Sequence, residues 1–511
     1  MSVVSVTSGN TVSRFPFTGE DTVRNILLHL SQPLPMPCGG NHTCGKCKVL
    51  CSGALSPMTS EEASFLTPSE IASGIRLACF VRASGDFSVY LPKAEISTLS
   101  TTSLPDHGLT GQGWGIAVDI GTTTVAMQLY CLDTGALYGE SLQGNRQSRF
   151  GADVISRIDF SNQDGSPLLE ETIRDQLEEM AASCMYQAGI SHLDAAVVTG
   201  NTTMLHFWEG LDVSGIAVAP FTPASLFGFS STVLLRQVFP YLPPCLGPYI
   251  GADITCAILA SGLMKHPEET SLLIDLGTNG EIVLYHQGKL YCASTAMGPA
   301  FEGANLAFGM QALPGAISAV RQTGSGNVCT QVISGCTAAG ICGSGILDAV
   351  SVMLDRGALD ESGLLCESDP DVTVWKGQPS WRIADTEVYV TQKDIRQIQL
   401  AKAAVCAGIC TLLDTVSLSP AQIDRFYIAG GFGHYMDLHS AARIGLFPPE
   451  LADRATVIGN AALSGAVLLL LDHTSHVLLQ SIQDCAQEIA LSGNAVFSDR
   501  YIDNIMFETE E

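Results

Sequence analysis

Apolar and small or polar residues alternate with a period of two over Val3–Val6 and Val12–Phe17, on either side of Ser8-Gly9-Asn10, which predicts a β-hairpin. After Asp21-Thr22 the period changes to that of a helix, with Val23, Ile26, Leu27 and Leu30 on one face and Asp or Thr as the cap. Pro33, Pro35 and Pro37 stop it, and a further strand is expected near Phe87–Leu91. From Ser97 to Gly113 the pattern lapses into small polar residues and glycines, the composition of a linker that would let the first module move. Buried strands then return at Trp114–Ile120, Ala195–Thr199, Leu272–Leu276 and Phe426–Ala429, with helical periods over Pro167–Ala188, from Asp253 and over Ile346–Leu354. The longest apolar stretch, near Ala461–Leu471, is too short to span a bilayer and reads as a buried helix.

A chain of 511 residues implies two to four domains. Its 25 Lys and Arg against 51 Asp and Glu leave a net charge of −26, which disfavours nucleic acid and anionic membrane as partners. No basic, apolar leader follows Met1, so a cytoplasmic location is expected, and with it few disulfides among 17 cysteines. Cys131, Cys184, Cys256, Cys292 and Cys329 sit singly in apolar segments and read as packing residues. The pairs Cys336/Cys342 and Cys406/Cys410 read the same way, and Phe507-Glu-Thr-Glu-Glu as a solvated tail.

Four other cysteines are grouped. Cys38, Cys44 and Cys47 fall within ten residues among Gly39, Gly40 and Gly45, whose freedom in φ lets a loop wrap a cluster and turn N–H groups toward sulfur. Two irons need four thiolates, and Cys79 supplies the fourth. Four thiolates also suit zinc, although structural zinc usually draws on two close pairs rather than a triplet and one distant cysteine. Cys51 reads as packing on the strand after the loop, and His42 as an exposed residue within it. The segment resembles the [2Fe–2S] ferredoxins of β-grasp fold, with the five-residue first spacing of the adrenodoxin type.

The second region repeats one device. Asp119-Ile-Gly121-Thr122-Thr123 and Asp275-Leu-Gly277-Thr278-Asn279-Gly280 each place an aspartate at a strand end before a tight turn and a second strand, a pattern of internal duplication. Glycine lets backbone approach phosphate, turn N–H groups and Thr hydroxyls donate to it, and the aspartate can hold Mg²⁺ through water or orient an attacking water. Gly430-Gly431, after a third strand, offers bare backbone for a flat adenosine. Glu302 either faces this site or is a carboxylate at a helix start, and the Gly340–Gly345 segment could present N–H groups to phosphate or ribose.

In these residues the chain resembles the actin, heat-shock-chaperone and sugar-kinase (ASKHA) superfamily, whose two ribonuclease-H-like halves close on ATP. The resemblance implies an α/β and α+β multidomain protein: a ferredoxin-type domain over 1–95, a linker over 96–113, and halves of an actin-like ATPase over 114–265 and 266–511. It makes Asp119 and Asp275 the catalytic carboxylates.

The order of modules, with Gly151–Arg157, Val198–Met204, Gly298–Gly303 and Asp394–Ala404, is similar to that of the reductive activators of corrinoid proteins. That resemblance implies a [2Fe–2S] cluster, ATP and Mg²⁺ as cofactors, a corrinoid protein or corrinoid methyltransferase component as partner, and a low-potential electron donor upstream. The reaction implied is the return of cobalt(II) to cobalt(I), with hydrolysis driving the uphill electron. A homodimer stays open. Some members carry an additional middle domain, whereas here the linker runs straight into Trp114. Two other readings remain: a small-molecule kinase with a redox-sensing appendage, and a plain electron carrier on a degenerate ATPase scaffold.

Overall fold

The computed structural model describes residues 2–8, 11–17, 21–29, 42, 45, 47–66, 68–91, 108–109, 111–324, 326–431 and 436–508. Cys38, Cys44, the turn after Gly431 and most of the linker lie outside them. The chain divides into two compact units, residues 1–95 with 144–173, and residues 96–143 with 174–511.

In the first unit the hairpin pairs Ser2–Ser8 with Thr11–Phe17, Val4 opposite Phe15. The sheet runs in the order Thr11–Phe17, Ser2–Ser8, Arg82–Leu91, Lys48–Leu55, Ile75–Leu77. Ser2–Ser8 and Arg82–Leu91 are parallel neighbours, and the connection between them carries the helix Val23–His29. Val4, Val6, Leu27, Val49, Leu77, Phe87 and Val89 fill the core beneath. This is the β-grasp arrangement expected of the N-terminal segment.

The second unit holds two six-stranded sheets of one design. In the first, Ala195–Gly200 lies parallel to Trp114–Ile120, which is antiparallel to Thr124–Cys131, with Ala136–Gly144 beyond. In the second, Arg425–Ala429 lies parallel to Ser271–Leu276, which is antiparallel to Gly280–His286, with Lys289–Thr295 beyond. The repeated order gives the duplication expected from the two Asp-x-Gly-Thr turns a structural basis. Register aligns the ends: Asp119 lies opposite Thr199, and Asp275 opposite Ala429. Both halves then bring a glycine against the carbonyl after the aspartate. A Cβ on Gly200 would sit 2.7 Å from the Ile120 oxygen, and one on Gly430 (φ 102°) 2.4 Å from that of Leu276, so neither turn tolerates a side chain.

Helix Ala252–Ser261 crosses Ala461–Leu471 so closely that a Cβ on Gly465 would meet the Cys256 oxygen at 2.1 Å. Helix Gln392–Thr415 is long and apolar enough to cross a membrane, yet 78% of its most apolar window is buried inside the protein, as a core helix would be. Three expectations fail. Cys329 and Cys336 are exposed, because the first lies on Val328–Val332 at the edge of a small three-stranded sheet and the second follows it past the short turn Ile333–Gly335. Phe507 is 2% exposed rather than solvated, since Lys402 Nζ donates to the Met506 carbonyl and lies over the Phe507 ring, and Gln399 Nε2 donates to the Ile505 carbonyl.

Candidate functional site

In the first unit, Cys47 Sγ lies 3.2 Å from Cys79 Sγ, both thiols buried. Two ligands with ~2.3 Å bonds to one tetrahedral metal stand about 3.8 Å apart, so this pair fits a shared ion with little movement. Backbone bonds set the pair: Ala78 N–H donates to the Cys47 carbonyl at 2.9 Å, and Arg24 N–H to that of Ala78 at 2.8 Å. Beneath the Cys79 turn, buried Glu62 takes both arms of Arg76 at 2.9 and 2.8 Å and the Leu77 N–H at 2.9 Å. His42 is exposed as expected, but it also braces the turn, because its Nε2 is 3.0 Å from the Cys79 carbonyl and its ring stacks on Phe80 at 4.1 Å. Burial pushes the Cys51 thiol up to about 11. That keeps it protonated, as suits packing rather than ligation.

In the second unit the two hairpins meet. Thr123 Oγ1 and Thr278 Oγ1 are 3.4 Å apart. Of the two readings of Glu302, the first holds, since its carboxylate accepts from both hydroxyls, at 2.6 Å from Thr123 and 3.0 Å from Thr278. Thr122 Oγ1 accepts from Asn201 Nδ2 at 3.0 Å, and the turn from Gly277 to Gly280 is closed by a bond from Gly277 N–H to the Asn279 carbonyl at 3.0 Å. Gly430 adjoins Asp275, whose Oδ1 is 3.0 Å from where a Cβ would stand, and no described atom lies within 4 Å of the Cβ position of Gly431.

Asp119 and Asp275 are joined by two carboxylates to which the sequence pattern assigns no role, Asp253 and Glu281. Burial is the main cause that lifts Asp119 to about 6 against a hydrogen bond from Asn460. Burial and then the Asp119 charge lift Asp275 to about 7. Burial, Asp119 and Asp275 lift Asp253 to about 8, and burial with Asp253 and Asp275 raises Glu281 well above the usual range. These buried carboxylates raise one another's pKa, and a divalent cation held through its own water shell would relieve that repulsion. Asn460 likewise lies outside the strand-turn motifs, though Asn before an apolar helix is a legible cap. Its Oδ1 accepts from Leu463 N–H at 2.8 Å while its Nδ2 donates to Asp119 Oδ2 at 2.9 Å.

The helix Gly343–Asp355 starts within the Gly340–Gly345 segment. Its first residues are buried against Ala316–Gln322, with Ser344 Oγ donating to the Ser318 carbonyl at 2.8 Å. A Cβ on Gly345 would lie 2.2 Å from the Ile317 oxygen, so the helix start packs directly on that strand.

Comparison with known proteins sets this geometry in a family. Residues 10–84 match the 2Fe-2S iron-sulfur cluster binding domain, 114–266 the RACo middle region, and 269–511 the C-terminal domain of RACo, the ASKHA domain. The corrinoid activation enzyme RamQ of Eubacterium limosum is 34% identical over 425 residues, 77% of this chain and 70% of that protein. The chain belongs to the family of reductive activators of corrinoid proteins. Within it, a Methanosarcina barkeri protein named as [Co(II) methylated amine-specific corrinoid protein] reductase is 25% identical over 437 residues, 78% of this chain and 77% of that one. A solved reductive activator for a corrinoid, iron-sulfur protein superposes with a TM-score of 0.71 at 27% identity, covering 99% of this chain and 98% of its own. The region from Trp114, expected as the first ATPase half, matches this family's middle region, so the expected departure of a chain without one does not hold.

Proposed function

We infer that this protein reductively activates a corrinoid protein at the expense of ATP, passing one electron to cobalt(II) to give cobalt(I). The observation that carries the reading is similarity over 99% of the chain to a reductive activator, with the cluster module and the paired hairpins both inside the match. The division of labour follows residues 1–95 for the electron, 96–113 as the tether, and 114–265 with 266–511 for the nucleotide.

A [2Fe–2S] cluster, when bound, would supply the electron, with a low-potential donor as the expected upstream partner. Cys38, Cys44, Cys47 and Cys79 would hold it, and the Glu62–Arg76 pair fixes the strand that delivers Cys79. In the second unit, Thr122, Thr123, Thr278 and the turn N–H groups at Gly121, Gly277, Asn279 and Gly280 bind phosphate. Gly430 and Gly431 leave space for adenosine. Asp119, Asp253, Asp275 and Glu281 would face a hydrated Mg²⁺ and hold it through water, and Asp119, steadied by Asn460, would orient water for attack. Each 59 mV of uphill one-electron transfer costs about 1.4 kcal/mol, so a few hundred mV below a ferredoxin near roughly −400 mV needs about 5–7 kcal/mol, within reach of one nucleotide cycle. ATP does this work by favouring one conformation of the complex with the acceptor, not by phosphorylating it. We place the reaction in the cytoplasm.

The test is spectroscopic. Reduced protein, Mg²⁺-ATP and a cobalt(II) corrinoid protein are mixed and cobalt(I) absorbance is followed, with Asp119→Ala and Cys47→Ser as controls. Turnover of ATP with no cobalt(I), or phosphorylation of a small acceptor instead, rejects the reading.

A further inference from the structure

We propose that Glu302 is a clasp between the two hairpins, and that its carboxylate and the terminal phosphate of ATP are alternative guests of the same two hydroxyls. The proposal rests on reading the hairpins as the phosphate site, and it gives a role to a residue outside the strand-turn motifs.

The clasp is built on a firm base. Glu302 ends the short turn Ala300–Glu302, whose Ala300 and Phe301 are 3% and 1% exposed. Three backbone bonds close that turn: Glu302 and Ala304 N–H to the Pro299 carbonyl, and Gly303 N–H to that of Ala300. Gly303 has φ 79°, and a Cβ there would meet the Met310 oxygen at 2.4 Å, so the backbone behind the carboxylate has one way to lie. From this base Glu302 Oε2 accepts from Thr123 and Oε1 from Thr278, residues 155 apart in sequence, on hairpins of opposite halves.

One planar anion thus takes one hydroxyl from each half, as two oxygens of a phosphoryl group would. Both anions cannot hold these donors at once, since they would share the same protons and repel at contact distance. The Gly430-Gly431 turn adjoins Asp275 in the second half. The far end of the phosphate chain is therefore the part that reaches hydroxyls contributed by both halves. ATP must displace Glu302, whereas ADP, shorter by the terminal phosphate, leaves it in place. Loss of that phosphate returns the carboxylate to the hydroxyls, which makes the hairpin contact a two-state element read by triphosphate against diphosphate.

Glu302→Gln keeps the size and an acceptor oxygen but removes the charge, and Glu302→Ala removes the clasp altogether. Affinities for ADP and a non-hydrolysable ATP analogue are measured calorimetrically on the full-length cluster-loaded protein with Mg²⁺, after a melting curve shows each variant folded. Both variants should bind the triphosphate about tenfold more tightly than wild type, about 1.4 kcal/mol, with ADP changed less than twofold. Equal shifts for the two nucleotides, or weaker triphosphate binding, overturn the clasp and make Glu302 an ordinary ligand or scaffold residue. Wild type that binds neither nucleotide overturns the phosphate-site reading itself, so the two failures are told apart.

Discussion

Asn460 Nδ2 donates to Asp119 Oδ2 at 2.9 Å, across 341 residues of sequence. The same side chain caps the helix Ala461–Leu471 through Oδ1, which leaves its amide one orientation. Hydrogen bonds to charged groups contribute about 1.5–3 kcal/mol. Asn460→Ala should therefore lower ATPase kcat by about 10–100-fold with little change in KM for ATP, and should raise the pH at which activity is half-maximal. Steady-state kinetics across pH 5–9 measures both. An unchanged profile would show that Asp119 does not depend on this bond.

Asp253 stands where the carboxylates crowd most. Its folded pKa, pushed to about 8 by burial and by Asp119 and Asp275, lies above the 3.8 of a free carboxyl. The folded protein therefore holds protons that the unfolded chain releases, and this group's contribution to stability falls as pH rises from about 4 to 8. Asp253→Asn should flatten that fall and raise the melting temperature at pH 8 by about 2–4 °C for each kcal/mol recovered. Mg²⁺-ATP should flatten it in wild type but not in the variant. Calorimetric scans with and without Mg²⁺-ATP decide the point.

Glu62 is the buried half of a two-armed pair with Arg76, with side-chain exposures of 1% and 12%. Removing one partner of such a pair costs about 3–5 kcal/mol, because the other is left buried and charged. Glu62→Ala should loosen the Cys79 turn, and visible absorbance of the cluster should fade at lower urea than in wild type. Cys51→Ala, which alters only packing, should leave the spectrum intact.

Phe507 and Met506 close over Lys402, whose ammonium burial pushes down to about 8. Phe507→Ala should destabilise the second unit by about 3–5 kcal/mol and speed proteolysis near the core helix Gln392–Thr415. Cluster absorbance should be unaffected. Limited proteolysis read by mass spectrometry separates the two effects.

What could be read from sequence divides along physical lines. Strand, Asp and Gly-Thr turn occur in one short window, so Asp119 and Asp275 stand out by local pattern, and the β-grasp order follows from a hairpin, a helix and a closing strand. Asp253 and Asn460 do not stand out. Each opens a helix, and an Asp or Asn there reads as a helix-start residue until the sheets bring it to a distant carboxylate. Glu302 could be read two ways because its partners, Thr123 and Thr278, lie on different halves. Cys329 and Phe507 misled for a related reason. A small strand edge and a terminal segment take their burial from what packs on them, which the local pattern does not encode.

The separation of Asp119 from Asn460 has a counterpart in the making of the protein. The parallel pair Ser2–Ser8 and Arg82–Leu91 completes the first sheet's centre within the first 91 residues. The amide that steadies Asp119 arrives 341 residues after it, about 17–70 s later at the usual 5–20 residues per second of synthesis. A ribosome-bound chain therefore owns its thiol-bearing sheet well before it can own a finished nucleotide site. The order of the chain thus makes the thiol-bearing sheet available first and the complete Asp119–Asn460 pair only near the end of synthesis.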